Sequence, residues 1–268
     1  MANPIVIFDS GVGGLSIYQE VKRTLPSLNV VYCSDTEAFP YGPKSENDVI
    51  VRTSYCLGRL AERFSPSLAV IACNTASTIS LPRVRRELGF PVVGVVPAIK
   101  TASQVSRNRC IGLLATPGTI ERSYTTLLIS DFADDCTVIK VGSSELVQLA
   151  EQHLRNETVS LEQLAAIIEP FFTHHPAPDA IVLGCTHFPL LRGLLKQVAP
   201  TPVNWVDSGP AIARRVKNLL GSSLESGSSD NNNISQPPDR FLHTGSEQFI
   251  AALVPALKAM GFSQPDYL

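Results

Sequence analysis

Short apolar runs alternate with longer amphipathic stretches along almost the whole chain. The β-type runs are IVIF (5–8), VVYC (30–33), LAVIA (68–72), PVVGVV (91–96), IGLLA (111–115), TVIKV (137–141), AIVLG (180–184), VNWV (203–206) and RFLHT (240–244). Helical patterns separate most of them. Leu15, Tyr18, Val21 and Leu25 share one face, and Pro26 stops that run. Over residues 46–64, Ile50, Leu57, Leu60, Ala61 and Phe64 fall together, with Ser45 and Asp48 as a capping pair at the start. Strands alternating with helices predict parallel sheets in an α/β fold.

Two of the runs end alike. LAVIA leads into Cys73, Asn74 and Thr75, and AIVLG leads into Cys185, Thr186 and His187. Each reads as a buried strand that ends on a thiol and passes into small hydrogen-bonding residues with helix-starting character. Ligands bind at the carboxyl ends of strands in such sheets. Two thiols at two such ends suit an enzyme that moves a proton from one face of a substrate carbon to the other. A second echo, Asp9-Ser10-Gly11 after IVIF and Asp207-Ser208-Gly209 after VNWV, suggests two related α/β lobes with a cleft between them.

Composition narrows the classes. With 268 residues and a net charge of −2, the chain can build a sizeable core and shows no basic stripe for nucleic acid. Its start lacks the pattern of a signal peptide, and no apolar stretch nears the roughly 20 residues of a membrane helix. A soluble cytoplasmic protein is expected. The six cysteines make no C-x-x-C pair and fit no zinc spacing, so no metal is expected. Cys33, Cys56, Cys110 and Cys136 read as small buried hydrophobes. The segment 221–238, GSSLESGSSDNNNISQPP, has too few apolar residues to offset its ordering entropy and is expected to be a flexible loop.

The remaining candidates surround the thiols. DSGVGGLS (9–16) is neither a dinucleotide fingerprint nor a Walker loop, which leaves a tight glycine turn whose backbone N–H groups can receive an anion. Asp9 ends an apolar strand, where a carboxylate needs a partner or a purpose. Glu151 lies on the apolar face formed by Val147, Ala150 and Leu154. His187 stands two residues from Cys185 and can exchange protons with it. Tyr41 and Gly42 occupy a loop that reads as a cleft wall, and Thr116 and Thr119 are weaker candidates of the same kind. A hydrolase with Cys185 as nucleophile and His187 as base leaves the Cys73 echo without a purpose. A binding protein without catalysis is a further alternative.

The set DSGVGGLS (9–16), FPYG (39–42), ACNTAS (72–77), VVGVVPAIK (92–100), GCTHFPLL (184–191) and VDSG (206–209), in this order, resembles the glutamate racemases of the aspartate/glutamate racemase superfamily. GSSELVQLAE (142–151) is similar to the variant in proteobacterial members. The resemblance implies cofactor-independent interconversion of L- and D-glutamate for peptidoglycan synthesis, with aspartate or a related amino acid as the alternative substrate. It implies two pseudo-symmetric lobes, residues 1–97 with 208–268 and residues 98–207, and an active-site cleft between them. It assigns Cys73 and Cys185 as the acid/base thiols, Asp9 as helper of Cys73, and Glu151 and His187 as helpers of Cys185. Asp9, Ser10, Tyr41, Gly42, Asn74, Thr75, Thr186 and His187 would hold the substrate. It also leaves room for activation by a cell-wall nucleotide precursor and for a homodimer.

Overall fold

The computed structural model describes residues 3–225 and 237–268. Its strands are β1 (Ile5–Asp9), β2 (Val30–Ser34), β3 (Leu68–Ile71), β4 (Val92–Gly94), β5 (Cys110–Ala115), β6 (Thr137–Gly142), β7 (Ala180–Leu183), β8 (Asn204–Val206), β9 (Arg240–His243) and β10 (Asp266–Tyr267). Each of the nine apolar runs forms a strand. β10 is too short to leave a pattern. β1, β2, β3, β5 and β7 are buried along their whole length, as parallel strands covered on both faces are.

Among the described residues there are two sheets, ordered β10-β9-β2-β1-β3-β4 and β6-β5-β7-β8, with parallel pairing throughout. The chain divides into two compact units, Met1–Val95 with Gly209–Leu268, and Val96–Ser208. The second sheet repeats the order of the first four strands: second, first, third, fourth. Cys73 follows β3 and Cys185 follows β7, so both thiols come after the third strand of this plan. The thiol echo is therefore topological. The second DSG is not its counterpart, because Asp207 follows β8, the fourth strand, whereas Asp9 ends β1, the first.

In the first unit, Val6, Phe8, Val31, Cys33, Leu57 and Ala69 belong to one buried cluster. The C-terminal part joins it by pairing β9 with β2, and Asp239 pins the junction. Its carboxylate accepts from the Tyr18 hydroxyl (2.7 Å) and the Val30 N–H (2.8 Å) and pairs with Lys22 (3.0 Å). The helix Glu46–Phe64 starts as its capping pair predicts: Ser45 Oγ accepts the Asp48 N–H and donates to the Asp48 carboxylate. In the second unit the core is built on Ile111, Leu113, Ala180 and Val182. Gly112 is required there, since a Cβ would lie 2.8 Å from the Phe171 ring.

The expected loop over 221–238 is corrected at its start: the helix Gly209–Glu225 covers the loop's first five residues, with a non-helical break at Gly221. Residues 226–236 lie outside the described residues. Among the described residues no helix is long and apolar enough to cross a membrane.

Candidate functional site

In the first unit the carboxyl ends of β3, β1, β2 and β9 lie side by side, which brings Asp9 into register with Ser34, and Ser34 with His243. Cys73 is the N-cap of the helix Asn74–Glu87, and its Sγ accepts the Ala76 N–H at 3.4 Å. The Ser10 hydroxyl donates to the same sulfur at 3.5 Å. A helix N-terminus and a hydroxyl donor both favour a thiolate over a thiol. Asn74 and Thr75 are buried at the start of that helix.

Asp9 is wholly buried. The glycine turn serves Asp9 itself: the Gly14 N–H donates to the Asp9 carboxylate at 2.7 Å, so this N–H is not left for an incoming anion as the sequence suggested. Gly14 has a right-handed helical backbone, and its need for glycine is steric. A Cβ there would come within 2.7 Å of Ala72 Cβ and 2.9 Å of Asp9 Cβ.

Tyr41 is buried, with its hydroxyl donating to Asp35 at 2.6 Å. Its phenol is thus committed inside the unit, while the Cβ position of Gly42 has no atom within 4 Å.

In the second unit, Gly184 follows β7 because a Cβ would lie 2.9 Å from Leu113 and 3.1 Å from Ala115. Cys185 follows it. A 3-10 turn, Phe188–Leu191, comes next and leads into the helix Arg192–Val198, and its N-cap residue His187 makes no side-chain cap bond. The help for Cys185 comes from side chains. Cys185 Sγ lies 3.8 Å from His187 Nδ1, and His187 Nε2 lies 2.9 Å from Glu151 Oε1. Glu151 stands on the buried face of the helix Glu145–Leu154, and Arg155 approaches its other oxygen at 3.6 Å. Burial works against a charged His187. Hydrogen bonds and charge from Cys185 and Glu151 outweigh it and hold the imidazole well above its ordinary value. Thiol, imidazole and carboxylate in a row can pass a proton to and from sulfur.

Thr116 directly follows β5, the neighbour of β7. Thr116 and Thr119 bond each other at 2.9 Å. Asp207 pairs with Arg192, and the Ser208 hydroxyl donates to the Val96 carbonyl, so the second DSG is structural. Cys33, Cys56 and Cys110 are buried, whereas Cys136 is half-buried and only partly fits the expectation of a buried hydrophobe. Burial raises the thiols of Cys33 and Cys56 above their ordinary values. Among the described residues no group of three or more His, Cys, Asp or Glu side chains is placed to hold a metal ion. Arg52 carries no distinguishing signal in the sequence. Asp35 directly follows an apolar strand, the same signal that marked Asp9.

The Asp/Glu/Hydantoin racemase family model matches residues 5–216. The glutamate racemase of Salmonella paratyphi A is 48% identical over 264 residues, covering 98% of this chain and 91% of the relative. The crystal structure of Escherichia coli glutamate racemase in complex with L-glutamate and the activator UDP-MurNAc-ala superposes with a TM-score of 0.91. It is 45% identical and covers 99% of this chain and 98% of that one. A Bacillus anthracis glutamate racemase follows at a TM-score of 0.82 and 27% identity, over 99% and 97% of the two chains. An aspartate racemase homologue from Pyrococcus horikoshii, at 18% identity and a TM-score of 0.51, shares the fold.

Proposed function

The chain belongs to the Asp/Glu/Hydantoin racemase family, and from that premise we propose that Cys73 and Cys185 interconvert L- and D-glutamate by two-base proton transfer. The observation that carries the reading is that each thiol follows the third strand of the same strand plan and has its own hydrogen-bonding helpers. Racemisation removes the α-proton from one face of Cα and returns a proton to the other. The Cys73 thiolate takes the proton of D-glutamate while the Cys185 thiol donates to the opposite face, and L-glutamate reacts in the reverse sense. After each turnover the two sulfurs have exchanged protonation states, so no redox step and no outside reactant is needed.

Asp9 assists Cys73, and His187 with Glu151 assists Cys185. Charge develops beside the substrate carboxylate as the α-proton leaves, and prearranged N–H and hydroxyl donors stabilise it. Ser10, Asn74, Thr75, Thr186 and the backbone of Tyr41–Gly42 supply such donors. D-glutamate made this way feeds peptidoglycan synthesis in the cytoplasm. The activator in the Escherichia coli structure makes a cell-wall nucleotide precursor a candidate effector here, and a homodimer is the assembly to look for.

The test is to follow purified protein with L-glutamate by circular dichroism, with and without UDP-MurNAc-alanine, and to repeat it in D2O. The signal should decay to the racemic value. The first product formed should carry deuterium at Cα, because the returning proton comes from the solvent-equilibrated opposite thiol. Unchanged chirality, or faster turnover of aspartate than glutamate, would refute the reading. A trapped acyl-enzyme on Cys185 would instead indicate a hydrolase.

A further inference from the structure

Asp35 follows β2 and has no exposed surface. Its carboxylate accepts from the Tyr41 hydroxyl (2.6 Å), the Thr244 hydroxyl (2.6 Å), Arg52 Nε (2.9 Å) and Arg52 Nη2. Its backbone N–H donates to the carbonyl of Asp9 at 2.9 Å. One residue therefore touches the strand end that carries Asp9 and the tyrosine that precedes Gly42.

The cluster extends further. Arg52 also donates to Glu37 at 3.0 Å, and Thr244 Oγ1 accepts the Glu37 N–H at 3.2 Å. Buried carboxylates are costly unless fully bonded, and this one has donors on both oxygens.

We propose that Asp35, braced by Arg52 and Thr244, is a positioning residue that sets the Tyr41–Gly42 backbone relative to Asp9 for substrate binding. The inference rests on the reading that this backbone holds glutamate. Because the Tyr41 hydroxyl is spent on Asp35, the segment can offer substrate only its backbone and the open side of Gly42. A glycine has wide backbone freedom, so a donor beside it is well aimed only if its neighbour is anchored.

The protonation states suit this task. Burial pushes the Asp35 carboxyl up, but bonds from Arg52, Thr244 and Tyr41 and the Arg52 charge outweigh it and hold the group below its ordinary value. Burial and the Asp35 charge push the Tyr41 phenol up, so it remains a donor.

The experiment compares Tyr41→Phe, Arg52→Met and Arg52→Lys in the full chain. It measures kcat and KM in both directions, glutamate affinity by calorimetry, and melting temperature. Tyr41→Phe and Arg52→Met should raise KM and Kd for both enantiomers alike, by about the fivefold that one hydrogen bond of ordinary strength is worth. kcat should change less than KM. Arg52→Lys should recover part of the loss, since it keeps the charge without the paired donors. A merely structural role would lower the melting temperature and leave KM and Kd at parental values, and that result overturns the inference. Tyr41→Phe removes a single oxygen from a buried ring, which keeps the test available if Arg52→Met does not fold. Normal turnover with unchanged KM in the variants would sink the clamp and leave the function standing. A parent that neither binds nor turns over glutamate would remove both.

Discussion

A thiol serves as a base only as thiolate, and the two candidate thiols have different hydrogen-bonding neighbours. Cys73 has the N-terminal N–H of Ala76 and the Ser10 hydroxyl, while Cys185 has the His187–Glu151 pair. Cys73→Ala and Cys185→Ala should each abolish racemisation in both directions, since every turnover needs one base and one acid. Changes at the helpers should be directional. Asp9→Asn should mainly slow kcat from D to L, whereas Glu151→Gln and His187→Asn should mainly slow kcat from L to D. Stopped-time assays from each pure enantiomer, with Cα-deuterated substrate, separate the two. Equal slowing in both directions would remove the helper assignment.

The raised imidazole of His187 also couples to stability. A group whose folded value is raised stabilises the folded protein fully below its unfolded value, about 6.5 for histidine. That contribution is lost as pH rises through the folded value. The stability advantage of the parent over Glu151→Gln should therefore be greatest on the acid side of neutrality and shrink as pH rises. Denaturant midpoints across pH measure it, and a difference that grows with pH would contradict the raised value.

At the level of elements, the turn from β1 into the helix Leu15–Thr24 couples packing to the site. Gly14 both donates to Asp9 and leaves no room for a Cβ beside Ala72 and Asp9. Its backbone is ordinary for alanine, so Gly14→Ala acts through crowding alone. Overpacking of this kind costs about 1–3 kcal/mol. The variant should melt earlier, and because the crowding falls on Asp9 it should also slow the D to L direction more than a distant destabilising change of equal size. Thermal melts paired with directional kcat measurements decide this.

At the level of the whole molecule, the two units repeat one strand order and carry equivalent thiols. The first unit is completed by a C-terminal part that re-enters it at Asp239. Residues 226–236, GSSDNNNISQ being most of that stretch, are polar and small in composition. Replacing them by a short Gly/Ser link that stops before Asp239 should leave kcat unchanged and shift the melting temperature modestly. A large loss of turnover in a folded variant would assign that stretch to the reaction or its control. Exhaustive dialysis and a chelator should leave activity intact, because the two thiols exchange protons with no added group, and activity restored only by an added cofactor would contradict the mechanism.

The sequence by itself determined nine of the ten strands in order, the helix that its capping pair starts at Ser45 and the place of both thiols after strand ends. These follow from local periodicity and from residues adjacent in the chain, which a linear pattern records. Tertiary structure decided which side chains meet. Ser10 reaches Cys73 across 63 positions and Thr244 reaches Asp35 across 209, distances in sequence over which no periodicity carries information. It also decided that the Gly14 N–H serves Asp9, that the turn after Cys185 opens as a 3-10 helix, and that the second DSG follows a non-equivalent strand. Each depends on hydrogen-bond direction and on the stacking order of strands, which are set only when the sheets assemble.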